Sequence, residues 1–295
     1  MDLYLNNGDF YALMAALCWS SGVILFELSG KSFDSIQINL LKNSIGFLCF
    51  FGVLLVTGDL FSSYTNQEYG LLIISAILGV AIGDLFLLNS LRRLGAGLYA
   101  IVGTSYILFV FIFAIVMYNE QISPQIFLGG SLVITGIIMR SNTMIYSIKR
   151  DILVSGILYG LFAQILTAFS VLLIKPIMYD HYIVHIAMLR FGIGVLFNIG
   201  HFLFIKGIGS FVETIRQGIS TPTMVFGAFM GTFLAVIFWL AGFKYTLASR
   251  AAIYNQLSTI IITIMAAVFL KDKMTFKSWL AVMLAFIGAI IVSIS

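Results

Sequence analysis

Ten long apolar segments follow one another along this 295-residue chain, and they restrict its fold more than any motif does. Each is close to the ~20 residues with which an α-helix crosses ~30 Å of hydrocarbon. In lipid every backbone N–H and C=O group must be paired inside the protein, and a helix does this within one segment. The sequence therefore predicts an all-α integral membrane protein with ten transmembrane helices, at residues 10–29, 36–57, 69–91, 97–118, 125–140, 152–175, 183–205, 224–243, 249–270 and 276–293.

The charge content supports the same interpretation. Only 9% of the residues are charged, against about 25% in soluble domains. The net charge of +4 then reflects cationic links beside a bilayer, and we expect no nucleic-acid partner. Cys18 and Cys49 lie within apolar segments and are expected to be free thiols, with neither a disulfide nor a metal site.

The second half of the chain repeats the first. Residues 79–138 align without a gap to residues 231–290, an offset of 152, and residues 8–46 align at an offset of 148. The matched pairs include Gly79/Gly231, Ala96/Ala248, Glu120/Asp272 and Gly136/Gly288 in the first alignment, and Gly8/Gly156, Tyr11/Tyr159, Lys42/Arg190 and Gly46/Gly194 in the second. Agreement in register over this length indicates an internal duplication.

Each repeat contains five of the predicted helices, and five is an odd number. The second repeat must then be inserted upside down relative to the first. We expect a first repeat at residues 1–140, a linker at 141–151 and a second repeat at 152–295. Two inverted five-helix repeats with a binding site at their interface are the architecture of secondary transporters.

Short motifs give the chain a resemblance to a known family. They are Tyr118-Asn119-Glu120-Gln121-Ile122-Ser123, Leu128-Gly129-Gly130 and Thr135-Gly136, echoed by Leu270-Lys271-Asp272, Trp279-Leu280 and Ile287-Gly288. With these, and with Lys42 and Arg190, the chain resembles the EamA-type transporters of the drug/metabolite transporter superfamily over nearly its whole length. The resemblance implies export of amino acids or other metabolites, and related families carry nucleotide sugars and sugar phosphates.

The cations predict an orientation in the membrane. The links after the odd-numbered helices hold eleven Lys and Arg residues and the other links hold three. The first set is Lys31, Arg92, Arg93, Arg140, Lys149, Arg150, Lys206, Arg216, Lys271, Lys273 and Lys277, and the second is Lys175, Lys244 and Arg250. This count places the first set in the cytoplasm and both termini outside, whereas the resemblance implies cytoplasmic termini. In either case we expect a multi-pass protein of the cell membrane, specifically the bacterial inner membrane.

Charged side chains inside the predicted helices are candidates for function, because they are costly in lipid. Lys42 and Asp84 each lie roughly 13–15 Å from the same membrane face. We expect them to face each other and to meet substrate or a proton; the alternative is an ion pair with no further role. Asp84 and Glu27 are candidates for proton coupling, since a lone buried carboxylate tends to have a raised pKa. Arg190 has no obvious acidic neighbour and could bind an anion.

Polar and aromatic side chains near mid-helix are candidates for lining a substrate cavity. With Lys42 and Arg190, the candidate set is Trp19, Thr104, Tyr106, Tyr159, Gln164, Trp239, Tyr254, Asn255 and Gln256. Ser20, Ser21, Ser105 and Thr167 are further polar residues at the same depth. The alternative is that these groups make hydrogen bonds between helices, which are worth about 0.6 kcal/mol each.

Enzymatic readings are less well supported. Gly83-Asp84 and Tyr179-Asp180 only partly match the motifs of intramembrane aspartyl proteases, and His181 and His185 lack the glutamate and third ligand of a zinc protease. We therefore predict a non-enzymatic secondary transporter without cofactor or metal, exporting a small metabolite such as an amino acid by alternating access. The alternatives are an exchanger of phosphorylated or carboxylated anions and, in another class, a membrane enzyme or subunit. The expected partners are the solute, the lipid bilayer and protons, and the expected assembly is a monomer or homodimer.

Overall fold

The structure, a computed structural model, describes residues 7–141, 149–269 and 276–293, and helices joined by short links make up most of them. No strand occurs among them, which confirms the all-α prediction. The helices are α1 (Asn7–Ser29), α2 (Ser35–Thr57), α3 (Asn66–Ser75), α4 (Asp84–Gly103), α5 (Ser105–Tyr118), α6 (Pro124–Ser141), α7 (Arg150–Leu173), α8 (Lys175–Asp180), α9 (Ile183–Ser220), α10 (Pro222–Ala228), α11 (Ala235–Tyr245), α12 (Ala248–Phe269) and α13 (Phe276–Ser293).

Six stretches of helix within the described residues are long and apolar enough to cross a membrane. They are Asn7–Ser29, Ser35–Thr57, Asn66–Ala96, Arg150–Leu173, Ile183–Ser220 and Pro222–Tyr245. Ser105–Tyr118 is apolar but shorter. A multi-pass membrane protein is therefore confirmed, and the full number of ten transmembrane helices stays a prediction.

The predicted helix at residues 183–205 ends close to a break in α9, because Gly207 has non-helical backbone angles before the helix resumes and runs to Ser220. Gly207 has a φ of 75°, which a glycine adopts without steric cost. Beyond it Ile208, Val212 and Ile219 are exposed and Thr214 is buried.

Two other predicted features fall outside the described residues. The linker at 141–151 is described only at its two ends. The second acidic turn, Leu270-Lys271-Asp272, is not described at all.

The first helix of each repeat packs against helices of the other repeat. α1 packs against α11 and α12, and its repeat equivalent α7 packs against α4 and α5. The helices α2 and α9 are equivalent and pack against each other, as do α6 and α13. A two-fold relation between the repeats produces such a reciprocal pattern of contacts. The repeats are also interleaved, since α1 of the first repeat lies mainly against the second repeat.

A π-helical segment occurs at the same place in each repeat. Ala76–Gly83 joins α3 to α4, and Phe229–Leu234 joins α10 to α11. The offset of 152 maps residues 77–82 onto 229–234. π-Helical turns are rare and recur at functional sites. Their occurrence in both repeats therefore indicates that a functional site lies at the level of these two segments.

Glycines let the helices cross closely at that level. A Cβ atom on Gly231 would lie 2.8 Å from the Cα atom of Gly22, where α1 crosses the second π-helical segment. At the equivalent crossing, a Cβ atom on Gly79 would overlap with the hydroxyl of Ser170. The offset of 148 maps Gly22 onto Ser170. The same helix crossing therefore occurs once in each repeat, as Gly22 with Gly231 and as Ser170 with Gly79.

We expect Gly22→Ala to lower the stability of the protein by about 1–3 kcal/mol, because the added methyl group has no room at the crossing. Gly52→Ala is the matched control, since Gly52 lies on α2 with open space around it. The control should be neutral or slightly stabilising. Thermal unfolding of both purified variants in detergent measures this, and equal midpoints would contradict the crossing.

The motif at residues 118–120 stabilises the join between the repeats. The hydroxyl of Tyr118 donates a hydrogen bond to the carbonyl of Leu172 on α7. Asn119 ends α5 in the left-handed conformation, with a φ of 50°. The carboxylate of Glu120 accepts hydrogen bonds of 3.1 and 3.0 Å from the backbone N–H groups of Ala248 and Ser249, at the start of α12. A carboxylate is favourable at a helix N-terminus, so these motif residues have a structural role.

Candidate functional site

A cavity with a volume of about 160 Å³ lies in the centre of the bundle, at the level of the π-helical segments. Its wall takes residues from α1, α2, α4, α5, α7, α9, α11 and α12 and from both π-helical segments, so both repeats contribute. The charged residues that the structure describes in this wall are Lys42, Asp84 and Arg190.

Much of the cavity wall consists of positions that are equivalent in the two repeats. The pairs are Ala16/Gln164, Trp19/Thr167, Lys42/Arg190, Gly79/Gly231, Val80/Thr232, Asp84/Val236, Leu87/Trp239, Gly103/Asn255 and Tyr106/Ser258. The cavity therefore lies between the two repeats, enclosed by equivalent positions of each. Within most pairs the side chains differ, so the wall is symmetric in position and asymmetric in chemistry.

Lys42 and Asp84 form an ion pair across α2 and α4. The ammonium of Lys42 is 2.5 Å from Oδ2 of Asp84, and the side chains are 3% and 18% exposed. The same ammonium donates a 2.7 Å hydrogen bond to Oδ1 of Asn43. The expectation that the two residues face each other is met, but Asp84 is not a lone carboxylate. The lysine partner supplies the opposite charge, so Asp84 lacks the isolation on which the proton-coupling interpretation depended.

Two asparagines hold the first π-helical segment against α2. Nδ2 of Asn39 donates to the carbonyl of Ala81, and Nδ2 of Asn43 donates to the carbonyl of Val80, both at 2.9 Å. The π-helical shift in register changes the carbonyl pairing of the helix, and these amides supply partners. The sequence analysis missed both residues. The two asparagines are four residues apart and therefore lie on the same face of α2, beside Lys42, and this spacing is the signal that could have identified them.

Arg190 is the second buried cation of the cavity wall. It is 2% exposed, and Nη2 donates a 3.3 Å hydrogen bond to the hydroxyl of Ser170. Its guanidinium lies 6.0 Å from the ring centroid of Trp239, whose Nε1 donates to the hydroxyl of Tyr106 at 3.3 Å. Its Nε has no hydrogen-bond partner, and no carboxylate pairs with it, among the described residues. A buried guanidinium in this state can bind a carboxylate or phosphate.

Two glutamines of the wall are engaged with the protein. Nε2 of Gln164 donates to the hydroxyl of Tyr99 at 3.2 Å. Nε2 of Gln256 donates to the carbonyl of Gly103 at 2.9 Å. In the same wall, side-chain polar atoms of Thr167, Thr232 and Asn255 have no hydrogen-bond partner among the described residues.

The structure places most of the sequence-derived candidates together and leaves four outside the cavity wall. Trp19, Lys42, Asp84, Tyr106, Gln164, Arg190, Trp239, Asn255 and Gln256 contribute to the wall. Glu27 lies near the end of α1, and Thr104 is buried at the start of α5. The ring of Tyr159 lies under the guanidinium of Arg93, and Cζ of Arg93 is 4.5 Å from the centroid of that ring. Tyr254 is buried in an apolar cluster with Ala12, Ile107 and Ile253.

The fold and the cavity together define the class. A helical membrane protein built as two equivalent halves around a charged central cavity has the architecture of a membrane transporter. A family model described as the EamA-like transporter family matches residues 6–141 and again residues 154–294. The chain therefore belongs to this family, within the drug/metabolite transporter superfamily.

Other comparisons bear on the fold alone. One solved crystal structure superposes on this chain with a TM-score of 0.74, covering 96% of this chain and 95% of that chain at 15% sequence identity. No curated protein shows a significant match.

Proposed function

We propose that the protein is a secondary transporter that moves a small carboxylate-bearing metabolite by alternating access. The observation that carries the proposal is Arg190, a buried guanidinium in the cavity wall that forms no ion pair among the described residues. Charges buried away from water are normally paired. A solute carboxylate would complete the pair, and the planar fork of arginine suits it.

The size of the cavity favours a solute of amino-acid size. Its volume of about 160 Å³ is close to that of an engineered ~150 Å³ protein cavity that accepts benzene. Pockets for larger organic ligands occupy about 300–1,000 Å³. A carboxylate with a few carbon atoms fits this volume, and a nucleotide sugar does not.

A phosphorylated anion is the second candidate, because Lys42 adds another cation to the wall. However, Lys42 is held by Asp84 at 2.5 Å. A doubly charged phosphate would have to displace Asp84 to use both cations. The single available guanidinium therefore favours a carboxylate.

Counterflow in liposomes tests the proposal. Purified protein is reconstituted into vesicles loaded with one unlabelled solute, and uptake of the labelled solute is followed for small carboxylates, a sugar phosphate and an organic cation. We expect exchange of carboxylates. Faster exchange of the sugar phosphate would support the second candidate. No flux of any solute would contradict transport and favour a membrane enzyme or subunit.

Export from the cytoplasm across a bacterial inner membrane is the direction that we propose, and the family resemblance supports it. Cells that lack the protein should then retain more of the transported carboxylate than cells that contain it. Equal retention would contradict export and leave transport itself to the vesicle assay.

A further inference from the structure

Asn255 contributes an amide to the cavity wall that the rest of the protein does not use. Its Nδ2 and Oδ1 atoms are both buried, and neither has a hydrogen-bond partner among the residues that the structure describes. The adjacent Gln256 differs, because its amide is bonded to Gly103 and Thr259. A buried polar group without a partner is costly and rare in a native protein, so Asn255 is suited to a ligand.

The character of this amide restricts the group that it can bind. It offers one kind of donor and one acceptor, and a hydroxyl is the smallest group that accepts from Nδ2 and donates to Oδ1. The terminal torsion of an asparagine side chain is soft, so the amide can turn to a ligand in the cavity. The equivalent position in the first repeat is Gly103, which means that only one side of the cavity presents this amide.

The charges of the wall restrict the ligand further. Lys42, Asp84 and Arg190 are the charged residues described there, and together they leave one positive charge uncompensated. A solute with a single negative charge neutralises it. A zwitterion does not, and its ammonium group would lie among two cations with the only carboxylate already bound to Lys42. The charge count therefore favours a monoanion over a neutral amino acid.

We propose that the transported solute is a small hydroxycarboxylate of net charge −1, and that Asn255 determines specificity by binding its hydroxyl while Arg190 binds its carboxylate. This inference rests on the proposed function and narrows it from carboxylates in general to those with a neutral hydrogen-bonding group. Two threonines of the wall, Thr167 and Thr232, each add a hydroxyl oxygen that has no hydrogen-bond partner among the described residues. These hydroxyl oxygens are further polar groups that a solute in the cavity can contact.

Three small probes test the inference: lactate, propionate, which lacks the hydroxyl, and alanine, which replaces it with an ammonium group. Ligands that bind the folded state raise the thermal midpoint of the purified protein, so a titration gives an apparent affinity for each. We expect lactate to bind at least about tenfold more tightly than propionate or alanine, because a site built to hydrogen-bond a hydroxyl rejects an analogue without it.

The variant Asn255→Leu, of similar size, should reduce the preference for lactate over propionate to less than about twofold. Asn255→Ser serves as a second variant if the leucine protein does not fold. Asn89→Leu is the matched control, since Asn89 lies on α4 outside the cavity wall and, among the described residues, its amide bonds to the carbonyl of Leu85. It should leave the preference intact.

The outcomes separate the two levels of the proposal. If lactate and propionate bind equally to the unsubstituted protein, or if alanine binds best, the hydroxycarboxylate inference is overturned and carboxylate transport stands. If the preference for lactate persists in Asn255→Leu, Asn255 is not its source. If none of the three binds and none is exchanged by vesicles, both the inference and the proposed function fail.

Discussion

Replacing Arg190 with methionine is expected to reduce the transport of carboxylates strongly while leaving the protein at least as stable as before. The guanidinium is 2% exposed and lacks a carboxylate among the described residues. A hydrogen bond to a charged group contributes about 1.5–3 kcal/mol, so its loss lowers transport efficiency roughly 10- to 100-fold or more. Stability should not fall, because burying an uncompensated charge is itself costly and an apolar side chain of similar length removes that cost.

The matched control is Arg93→Met. Arg93 also lies against an aromatic ring, that of Tyr159, but outside the cavity wall. Vesicle counterflow and thermal unfolding, measured for both variants, separate the two arginines. Transport by Arg190→Met at the unsubstituted rate would show that this cation is structural. A large drop in its thermal midpoint would show that the guanidinium is paired in the folded protein.

Replacing Asp84 with asparagine should destabilise the protein by about 3 kcal/mol or more, because it leaves the ammonium of Lys42 buried without its anion. The ammonium is only 3% exposed and lies 2.5 Å from Asp84. The double variant Lys42→Met/Asp84→Asn should recover most of that loss, since both charges are then absent. A thermal unfolding cycle over the two single variants and the double variant gives the coupling energy. Additive effects would mean that the ion pair does not contribute to stability.

The same cycle tests proton coupling. If Asp84 carries the coupled proton, uptake by the double variant should no longer respond to an imposed pH gradient, although counterflow of solute continues. If uptake still follows the gradient, Asp84 is not the coupling residue. Glu27, which lies outside the cavity wall, would then be the next residue to replace.

Much of the fold could be predicted because lipid restricts the chain so strongly. An apolar stretch in a membrane has to be a helix, which makes the hydropathy pattern sufficient for the all-α architecture. The duplication could be predicted as well, since equivalent residues such as Gly79 and Gly231 occupy equivalent helix crossings. The pairing of Lys42 with Asp84 followed from their similar depth.

The remaining features depend on interactions that have no local signature. Hydropathy does not indicate the two π-helical segments, because it measures how apolar a stretch is and not the register of its backbone hydrogen bonds. Polarity and depth put Tyr159 and Tyr254 on the list of cavity residues, but these criteria leave open which face of a helix a side chain occupies. Tyr159 is directed to Arg93, and Tyr254 to an apolar cluster. The role of Glu120 as the cap of α12 depends on a contact between residues 128 positions apart.

The packing of α1 has a consequence for the order in which the protein can assemble during synthesis. α1 is synthesised before the other described helices, yet it packs against α11 and α12 of the second repeat. The fully buried carboxylate of Asp9 pairs with Arg250, 241 residues later. Until Arg250 of α12 is made, this carboxylate lacks its cation. The packing of α1 is therefore completed only when α11 and α12 dock onto it, and a nascent chain that ends before Arg250 leaves the carboxylate of Asp9 without its cation.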